Sequence, residues 1–451
     1  MATDLQSAAP MTSLSDPRIK EKLQELRRTD NATNLYYLAR TYAFLALAIT
    51  AALWFYALND WSFWLNVPVT LLAILLIGAG QHQLTGLAHE ASHHLLLRNR
   101  FWNDLISDWF CMFPLFSSTQ HYRLQHIAHH QFVNDPDRDP DVSQLQTSGH
   151  WLDFPVDQRT FLVTLFKQLW LPNLFRFMRI RAAYNAIPTD KNPYLKKGWK
   201  PNKTTVRVGI LYLLALIGAL AWFVYDRNAL LLAIVPAAMY LGIMTFYACI
   251  PATMYHQSRV HPVISMRVMT LCRMTYVSLL FNGLAWLSLE LTPYAALFYV
   301  VLWVAPIFTS FSFFMILRQI VQHGNGGRGW LTNTRVFLVN PLINFAVFPM
   351  GQDYHLPHHI FASVPHYRLK ELHEFLEQCA EYRAQAVVVE GYFLPYEKPP
   401  TKPTVIEVLG PRYHDLAKEV HIDNDVLEGE EVEEKDEILK QGEDEKQKAL
   451  G

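Results

Sequence analysis

Six stretches of this 451-residue chain contain no aspartate, glutamate, lysine or arginine, and most of them are long enough to cross a lipid bilayer. A membrane-spanning helix needs about 17–25 mostly apolar residues. This feature excludes a soluble globular protein, a disordered chain and a fibrous chain as the leading interpretation. The uncharged runs are Thr41–Asn59, Trp61–Ala88, Val208–Tyr225, Asn228–Ser258, Met274–Leu289 and Leu291–Leu317.

The uncharged runs pair into three hairpins with short polar turns at Asn59–Asp60, Asp226–Asn228 and Glu290–Pro293. The long segments between the hairpins are rich in lysine and arginine, so the positive-inside rule places them and both termini in the cytoplasm. We therefore expect an all-α integral membrane protein with four to six transmembrane helices and a cytoplasmic, histidine-rich helical cap. The number of helices stays open because Met274–Leu289 is short enough to lie in the membrane interface instead.

Two other apolar stretches, Phe101–Phe116 and Val336–Met350, are too short or too interrupted to span, and we expect them along the membrane surface. Charge then suggests a polar N-terminus over 1–34, a membrane domain over 35–395 and an acidic tail over 396–451. The N-terminus lacks the apolar segment of a signal peptide. The last 31 residues hold twelve acidic and four basic residues, which predicts a disordered tail or, alternatively, a partner-docking one.

The histidines are the strongest chemical signal in the chain. They form three dense motifs, HEASHH beginning at His89, HIAHH beginning at His126 and HLPHH beginning at His355. Residues at i, i+3 and i+4 share one face of a helix, so each motif presents convergent imidazoles. A structural zinc ion takes four ligands, so these motifs offer too many nitrogens for one ion and predict a site for two metals. The four scattered cysteines form no CxxC pair, which excludes a zinc ribbon or a cysteine-held iron–sulfur cluster.

The three motifs resemble the histidine boxes of the membrane fatty-acid desaturase and hydroxylase superfamily. The resemblance extends to Tyr122 and Arg123 before the second box, to Asn134–Pro136 after it, and to Tyr354–Leu372 around the third. It covers about residues 35–390, so that the predicted membrane domain is desaturase-like. The combination of motifs is specific for the superfamily and much less specific for the reaction within it.

The resemblance implies a centre of two iron ions that activates O2 and removes hydrogen from an unactivated alkyl chain. It also implies a further ligand just after the last span, His323. In the first box, helical spacing favours His89 with His93, and His94 stays open because related enzymes also use a longer interval. The expected metal ligands are His89, His93, His94, His126, His129, His130, His323, His355, His358 and His359.

Polar residues near the boxes are candidates to orient these ligands. A metal-bound imidazole usually donates its other N–H to a carboxylate, a carbonyl or water. Gln319, one helical turn before His323, could hold a metal-bound water or be a simple surface residue. We expect no ligand role for His121 and hardly any for His82. The carboxylate candidates are Glu90, Asp135, Asp137, Asp139, Asp141 and Asp353, and those in the turn-rich Asn134–Asp141 segment could equally serve only to hold a loop.

Three functions fit these features. The favoured one is a fatty-acid desaturase that introduces a C=C bond into an acyl-lipid or acyl-CoA of the bilayer. A hydroxylase of fatty acids, alkanes or carotenoids, or an alkene-forming decarboxylase, would use the same metal site. A histidine-rich membrane metal carrier is the third hypothesis, and we disfavour it because the spans are almost uniformly apolar and carry few residues that could pass ions.

The partners follow from what the chain does not contain. Gly324–Gly329 lacks the spacing of a nucleotide-binding GxGxxG motif, and no fused haem motif is found, so electrons are expected from a ferredoxin, rubredoxin or cytochrome b5 type carrier. A basic cytoplasmic face would attract an acidic carrier. The substrate head could lie near Arg123, Arg176, Arg179 or Arg181, but each of these arginines taken singly is more readily explained as a positive-inside anchor. We expect no nucleic-acid partner and a location in a bacterial inner membrane.

Overall fold

The chain is a multi-pass membrane protein whose described part contains six helices long and apolar enough to span a bilayer. The computed structural model describes residues 10–58, 63–186, 192–200, 202–414 and 419–440. The expectation of four to six spans is therefore confirmed at its upper limit, whereas the predicted turn at 59–60 lies outside the described residues. The spans are α2 (Asn31–Leu58), α3 (Phe63–Ser92), α9 (Thr204–Tyr225), α10 (Ala229–Cys249), α11 (Met266–Glu290) and the interrupted helix α12–α14, composed of α12 (Ala295–Tyr299), α13 (Ala305–Phe308) and α14 (Ser310–His323).

Helix α11 shows why one span was difficult to recognise. Ser265 caps its N-terminus, since the serine hydroxyl accepts a hydrogen bond from the Val268 amide. Arg267 and Arg273 lie inside the helix, so the uncharged run begins two turns after the helix does. The short Met274–Leu289 run is thus part of a helix of full spanning length rather than an interfacial segment.

Helices α3 and α14 pack against each other, and this contact places two groups of histidines side by side. The Ser310 hydroxyl donates to the carbonyl of Ile74 across the contact. A Cβ atom at Gly78 would lie 2.0 Å from the Ser310 Oγ, so only glycine permits this approach. His89 near the end of α3 and His323 at the end of α14 therefore emerge from the membrane domain on the same side.

The remaining helices form a cap at that side. Most are short, and proline stands in the first turn of α1, α6 and α15. The all-α prediction is confirmed, and the described part of the chain adds to the helices one parallel pair of three-residue strands, β1 (Val336–Leu338) and β2 (Val388–Glu390). The cap helices are α1 (Pro17–Leu26), α4 (Arg100–Ser107), α5 (Thr119–Gln131), α6 (Pro140–Ser148), α7 (Gln158–Gln168), α8 (Leu171–Ala186), α15 (Pro341–Val347), α16 (His355–Ile360), α17 (Leu369–Leu376) and α18 (Ala380–Gln385).

The acidic tail contacts the cap in the part of it that the structure describes. Leu427 and Ile438 of the tail are buried in one apolar cluster with Leu124, Ile127 and Ala128 of α5. These two apolar side chains attach the otherwise acidic segment to the cap. Its acids pair with basic residues of the cap, among them Glu433 with Lys196 at 3.0 Å and Glu437 with Lys197 at 2.6 Å. Residues 415–418 and 441–451 lie outside the described part.

Candidate metal centre

Nine of the ten histidines predicted as ligands converge into two groups at the membrane end of the cap. The first, called group A here, contains His89, His93, His126, His130 and His358. The second, called group B, contains His129, His323, His355 and His359. Within each group, one nitrogen from every residue lies within 4.8 Å of the corresponding nitrogens of all the others. Eight of the nine side chains belong to buried residues, and His93 is partly exposed.

Helices α5 and α16 divide their histidines between the two groups. On α5, His126 and His130 point to group A and His129 to group B. On α16 the arrangement is reversed, since His355 and His359 belong to group B and His358 to group A. Each group thus receives an i, i+4 pair from one helix and a single imidazole from the other, which makes the two groups near neighbours.

The spacing of the Nε2 atoms fits metal coordination. In group A, the Nε2 atom of His126 lies 2.9 Å from that of His93 and 3.0 Å from that of His130. In group B, the Nε2 atom of His323 lies 3.2 Å from that of His129 and 2.9 Å from that of His355. Two nitrogens bound at right angles to one ion, each at about 2.1 Å, are about 3.0 Å apart. The donor geometry therefore suits two metal ions.

The charge state of the imidazoles also suits coordination. Burial lowers the pKa of His93 to about 3 and, aided by repulsion among the rings, holds the pKa of His130 and His359 well below the usual range. These side chains are neutral near pH 7, which is the form that binds a metal. Both ring nitrogens of His89 are buried and have no hydrogen-bond partner among the described residues.

Asp139 is the carboxylate that orients a histidine of group B. Its two oxygens lie 3.0 and 3.1 Å from the Nδ1 atom of His129, so that the Nε2 atom faces the group. Burial lowers the pKa of His129, but the Asp139 carboxylate opposes this effect and raises the pKa to about 8. The carbonyl of Asn333 lies 3.1 Å from the Nδ1 atom of His323 and orients that ring in the same way.

Glu90 is the carboxylate near group A. Its Oε1 atom lies 3.4 Å from the Nδ1 atom of His89, and its Oε2 atom accepts a hydrogen bond from the amide of His366. The side chain is fully buried. Glu90 thus lies beside His89 without a hydrogen bond to it, and its bond to the His366 amide ties the first box to the segment after the third.

The other candidates for orienting the ligands lie elsewhere. Asp135 pairs with Arg138 and Arg328 and holds the loop, while Asp137 is exposed. Asp353 accepts a hydrogen bond from Asn344 and not from a box histidine. Gln319 is buried on the face of α14 that carries His323, and neither of its amide atoms has a partner among the described residues.

His94 is the one predicted ligand that the structure places outside both groups. The helix ends at Ser92, and His94 adopts a positive φ of 58°, which turns its ring away from His89 and His93. Its Nε2 atom lies 2.9 Å from the carboxylate of Glu430 in the acidic tail. Of the two alternatives in the first box, His93 is therefore the residue in position to bind.

Arg123 and Tyr122 precede the second box, and both make defined contacts in the structure. Arg123, considered as a contact for the substrate head, is buried and donates to Asp104, Gln120 and backbone carbonyls, so it has no group left for a ligand. Tyr122 stacks on His126 with 11° between the ring planes. Its place four residues before His126 on a helix was the only sequence signal for this contact.

His82 and His121, not expected as ligands, lie outside both groups. The Nδ1 atom of His82 lies 2.8 Å from the carbonyl of Ala346, and that of His121 lies 2.8 Å from the Ser118 hydroxyl. Among the described residues, all four cysteines are free thiols.

Parts of the chain are similar to known proteins. The chain is 38% identical over 132 residues to dihydrorhizobitoxine desaturase of Bradyrhizobium elkanii, which is 29% of this chain and 34% of the relative. It is 28% identical over 125 residues to a Delta(5) fatty acid desaturase of Caenorhabditis elegans, covering 28% of this chain and 25% of the relative. A Delta 8-(E)-sphingolipid desaturase of Candida albicans is 27% identical over 210 residues, covering 42% and 35%.

These alignments each cover only about a third or less of the relative's own length. The match to a family model is more extensive. The model for fatty acid desaturases matches residues 62–286 and 253–388, which together include every box histidine, both histidine groups and five of the six spans. The chain belongs to the fatty acid desaturase family.

Proposed function

We propose that this protein is a membrane-bound, O2-dependent desaturase that holds two iron ions and introduces a C=C bond into the acyl chain of a lipid. The observation that carries the proposal is the division of nine histidines into two adjacent groups with Nε2 spacings of 2.9–3.2 Å. Iron is one of the metals that imidazole binds well. When bound, a pair of iron ions supplies O2 activation and an oxidant strong enough to remove hydrogen from a methylene group.

The chain's own residues would prepare the site for this chemistry. Group A would hold one ion and group B the other, with Asp139 and the Asn333 carbonyl fixing the rings of His129 and His323. Group B has four imidazoles against five in group A. Gln319, with its unpaired amide one turn before His323, is in the right register to hold a water at the smaller group.

Desaturation is favoured over oxygen insertion by the relatives. All three proteins above carry the word desaturase in their names, although these names give three different substrates, and the substrate of this chain is taken only as a lipid acyl chain. A hydroxylase or a decarboxylase would use the same histidines and would differ in which substrate carbon lies beside them. A metal carrier is disfavoured, because the histidine groups cluster at one end of the membrane domain and the described spans are strongly apolar with few charged residues.

An external carrier would deliver the two electrons that O2 activation requires. We infer that the histidine side faces the cytoplasm, since the long basic segments lie on that side. Part of this basic charge is paired with the acidic tail, including Lys196 with Glu433. Arg176 and Arg179 remain exposed on α8, and they form the surface on which an acidic carrier of ferredoxin, rubredoxin or cytochrome b5 type would bind.

The test is mass spectrometry of total lipids from a bacterial host that expresses the full chain. A lipid two hydrogens lighter than its precursor is expected with the wild type and with His261→Ala, which changes an exposed histidine outside both groups. The product should vanish with His129→Ala. A product heavier by one oxygen would show a hydroxylase, and a product that survives His129→Ala would contradict the proposed use of the centre.

A further inference from the structure

A cavity of about 230 Å³ lies beside the helix that carries the second histidine box. It is enclosed by the starts of α9 and α11, the end of α10 and the first turn of α5. Its walls are mostly apolar and include Ile210, Leu213, Met269 and Val277. A second apolar cavity of about 450 Å³ shares the side chain of Phe116 and continues between α9 and α11 toward their other ends.

Two histidines that lie outside both histidine groups line the first cavity with unpaired nitrogens. His121 is 6% exposed, and because its Nδ1 atom is bonded to Ser118, its Nε2 atom is the one without a partner. The Nε2 atom of His256 also has no partner among the described residues, and the two ring centres are 5.4 Å apart. Buried polar atoms are normally hydrogen-bonded, so this pair indicates a bound polar group.

Arg273 adds a positive charge to the same cavity. Its guanidinium donates to the carbonyl of Phe116, and no carboxylate in the described part of the chain forms an ion pair with it. Asp108 acts on Arg273 only through longer-range electrostatics. Burial raises the pKa of Asp108 to about 7, so this acid is partly neutral near pH 7 and compensates the arginine incompletely. A cation in apolar surroundings is stabilised by an anion that reaches it.

We propose that this cavity binds the anionic head, a carboxylate or a phosphate, of an amphiphilic lipid, and that this lipid is the substrate. Arg273 would pair with the head, the Nε2 atoms of His121 and His256 would hydrogen-bond to it, and the apolar walls would take the first carbons. This combination of apolar walls and a few convergent polar groups is typical of ligand sites. Naming the lipid as substrate rests on the proposed function, whereas its binding does not.

The position of His121 on α5 would bring a lipid head bound in this cavity near the metal centre. His121 precedes His126 of group A by five residues on one helix, an axial rise of about 7.5 Å. A lipid anchored at His121 would therefore have its head close to group A. Arg123, two residues away, cannot take this role because Asp104 already pairs with it.

Native mass spectrometry of the full, purified chain in a neutral detergent tests the cavity directly. The probes are dodecanoate and dodecyl phosphate, which share one chain and differ in the head. The wild type is expected to retain one molecule of at least one probe. Arg273→Gln should weaken that binding by about tenfold or more, because among the described lining residues it removes the one charged side chain that would pair with the head. Arg207→Gln, which changes an exposed arginine of α9, should bind as the wild type does.

A second pair of variants fills the cavity without changing its charge. Gly209 faces the cavity, and a Cβ atom there would lie 3.0 Å from the Tyr247 hydroxyl, so Gly209→Leu occupies the space of the ligand. Gly218 lies on the same helix with nothing within 4 Å of its Cβ position, which makes Gly218→Leu the matched control. Binding should be lost in the first variant and kept in the second, with thermal unfolding confirming that both are folded.

The outcomes separate the ligand from the reaction. Retention of dodecanoate alone identifies a carboxylate head, and retention of dodecyl phosphate identifies a phosphate head. The proposal is overturned if the wild type retains neither probe. It is also overturned if the Arg273→Gln and Gly209→Leu variants both retain a probe as well as the wild type does. Retention of a probe by a chain that holds no iron and yields no lipid product would overturn the proposed function and the substrate role, but not the binding site.

Discussion

Asp139 lies with both carboxylate oxygens within 3.1 Å of the Nδ1 atom of His129 and joins the loop after the second box to group B. The same carboxylate accepts hydrogen bonds from the amides of Asn134 and Asp141. One buried side chain therefore shapes the loop, begins helix α6 and sets the direction of the His129 ring.

Asp139→Asn is expected to weaken iron binding by about 10- to 100-fold, the usual effect of losing a carboxylate behind a metal-bound histidine. Asparagine keeps an acceptor for the amides and so preserves the start of α6. The measurement is iron retained per chain during titration with a chelator. Asp137→Asn, at an exposed position two residues away, serves as control and should retain iron like the wild type. Equal retention by both variants would remove Asp139 from the centre.

Substitutions of His93 and His94, the two candidate ligands in the first box, should have different effects on the iron content. His93→Ala removes a nitrogen from group A and is expected to lower the iron content of the purified chain. His94→Ala should leave the iron content unchanged, because His94 faces Glu430 and not the other histidines. Elemental analysis of both proteins checks this prediction, and the reverse order of iron contents would show that the first box uses the longer spacing.

The acidic tail should contribute to stability through its few apolar residues. Leu427 is fully buried against α5, so Leu427→Ala is expected to lower the free energy of unfolding by about 2–5 kcal/mol. Glu428→Ala, at the exposed neighbouring position, should change it by less than about 0.5 kcal/mol. Thermal unfolding in detergent compares the two variants. An unchanged melting temperature for Leu427→Ala would mean that the tail is not docked in solution.

Substitutions of Arg123 and of Arg176 should affect different properties, stability for the first and electron delivery for the second. Arg123→Ala leaves Asp104 buried without its partner, which is expected to cost about 3–5 kcal/mol of stability. Arg176→Ala removes an exposed guanidinium of α8 and should leave the melting temperature nearly unchanged while slowing electron delivery from an acidic carrier at low salt. Melting curves and the salt dependence of reduction by that carrier measure the two effects. A stable Arg123→Ala protein would return that arginine to the list of head-group contacts.

The spans and the histidine boxes could be predicted because both depend on local patterns. Uncharged runs report on the membrane, and the i, i+3, i+4 spacing of His126, His129 and His130 is a property of one helix. The division of these histidines between groups A and B follows instead from how α5 faces α16, which no local pattern contains. Arg267 and Arg273 concealed the first turns of α11 for a related reason, since charge near a span end is tolerated when it reaches polar groups.

Long-range contacts account for the other differences between the sequence-based predictions and the structure. His94 and His93 are adjacent in the chain, and only the end of α3 and the docked Glu430 separate their roles. Composition favours disorder for the acidic tail, because the average over 31 residues hides Leu427 and Ile438, which find an apolar surface on α5. Among the six candidate carboxylates near the boxes, Asp139 was distinguishable from Asp135 and Asp137 only once the loop was folded.

We propose that groups A and B each hold one iron ion. Elemental analysis combined with Mössbauer spectroscopy of the full chain, purified from cells grown with ⁵⁷Fe, tests it most directly. We expect about two iron ions per wild-type chain with the magnetic coupling of an adjacent pair, and a marked loss in the His129→Ala variant. A folded wild-type chain that holds a single iron ion, or zinc in place of iron at both groups, would contradict the account.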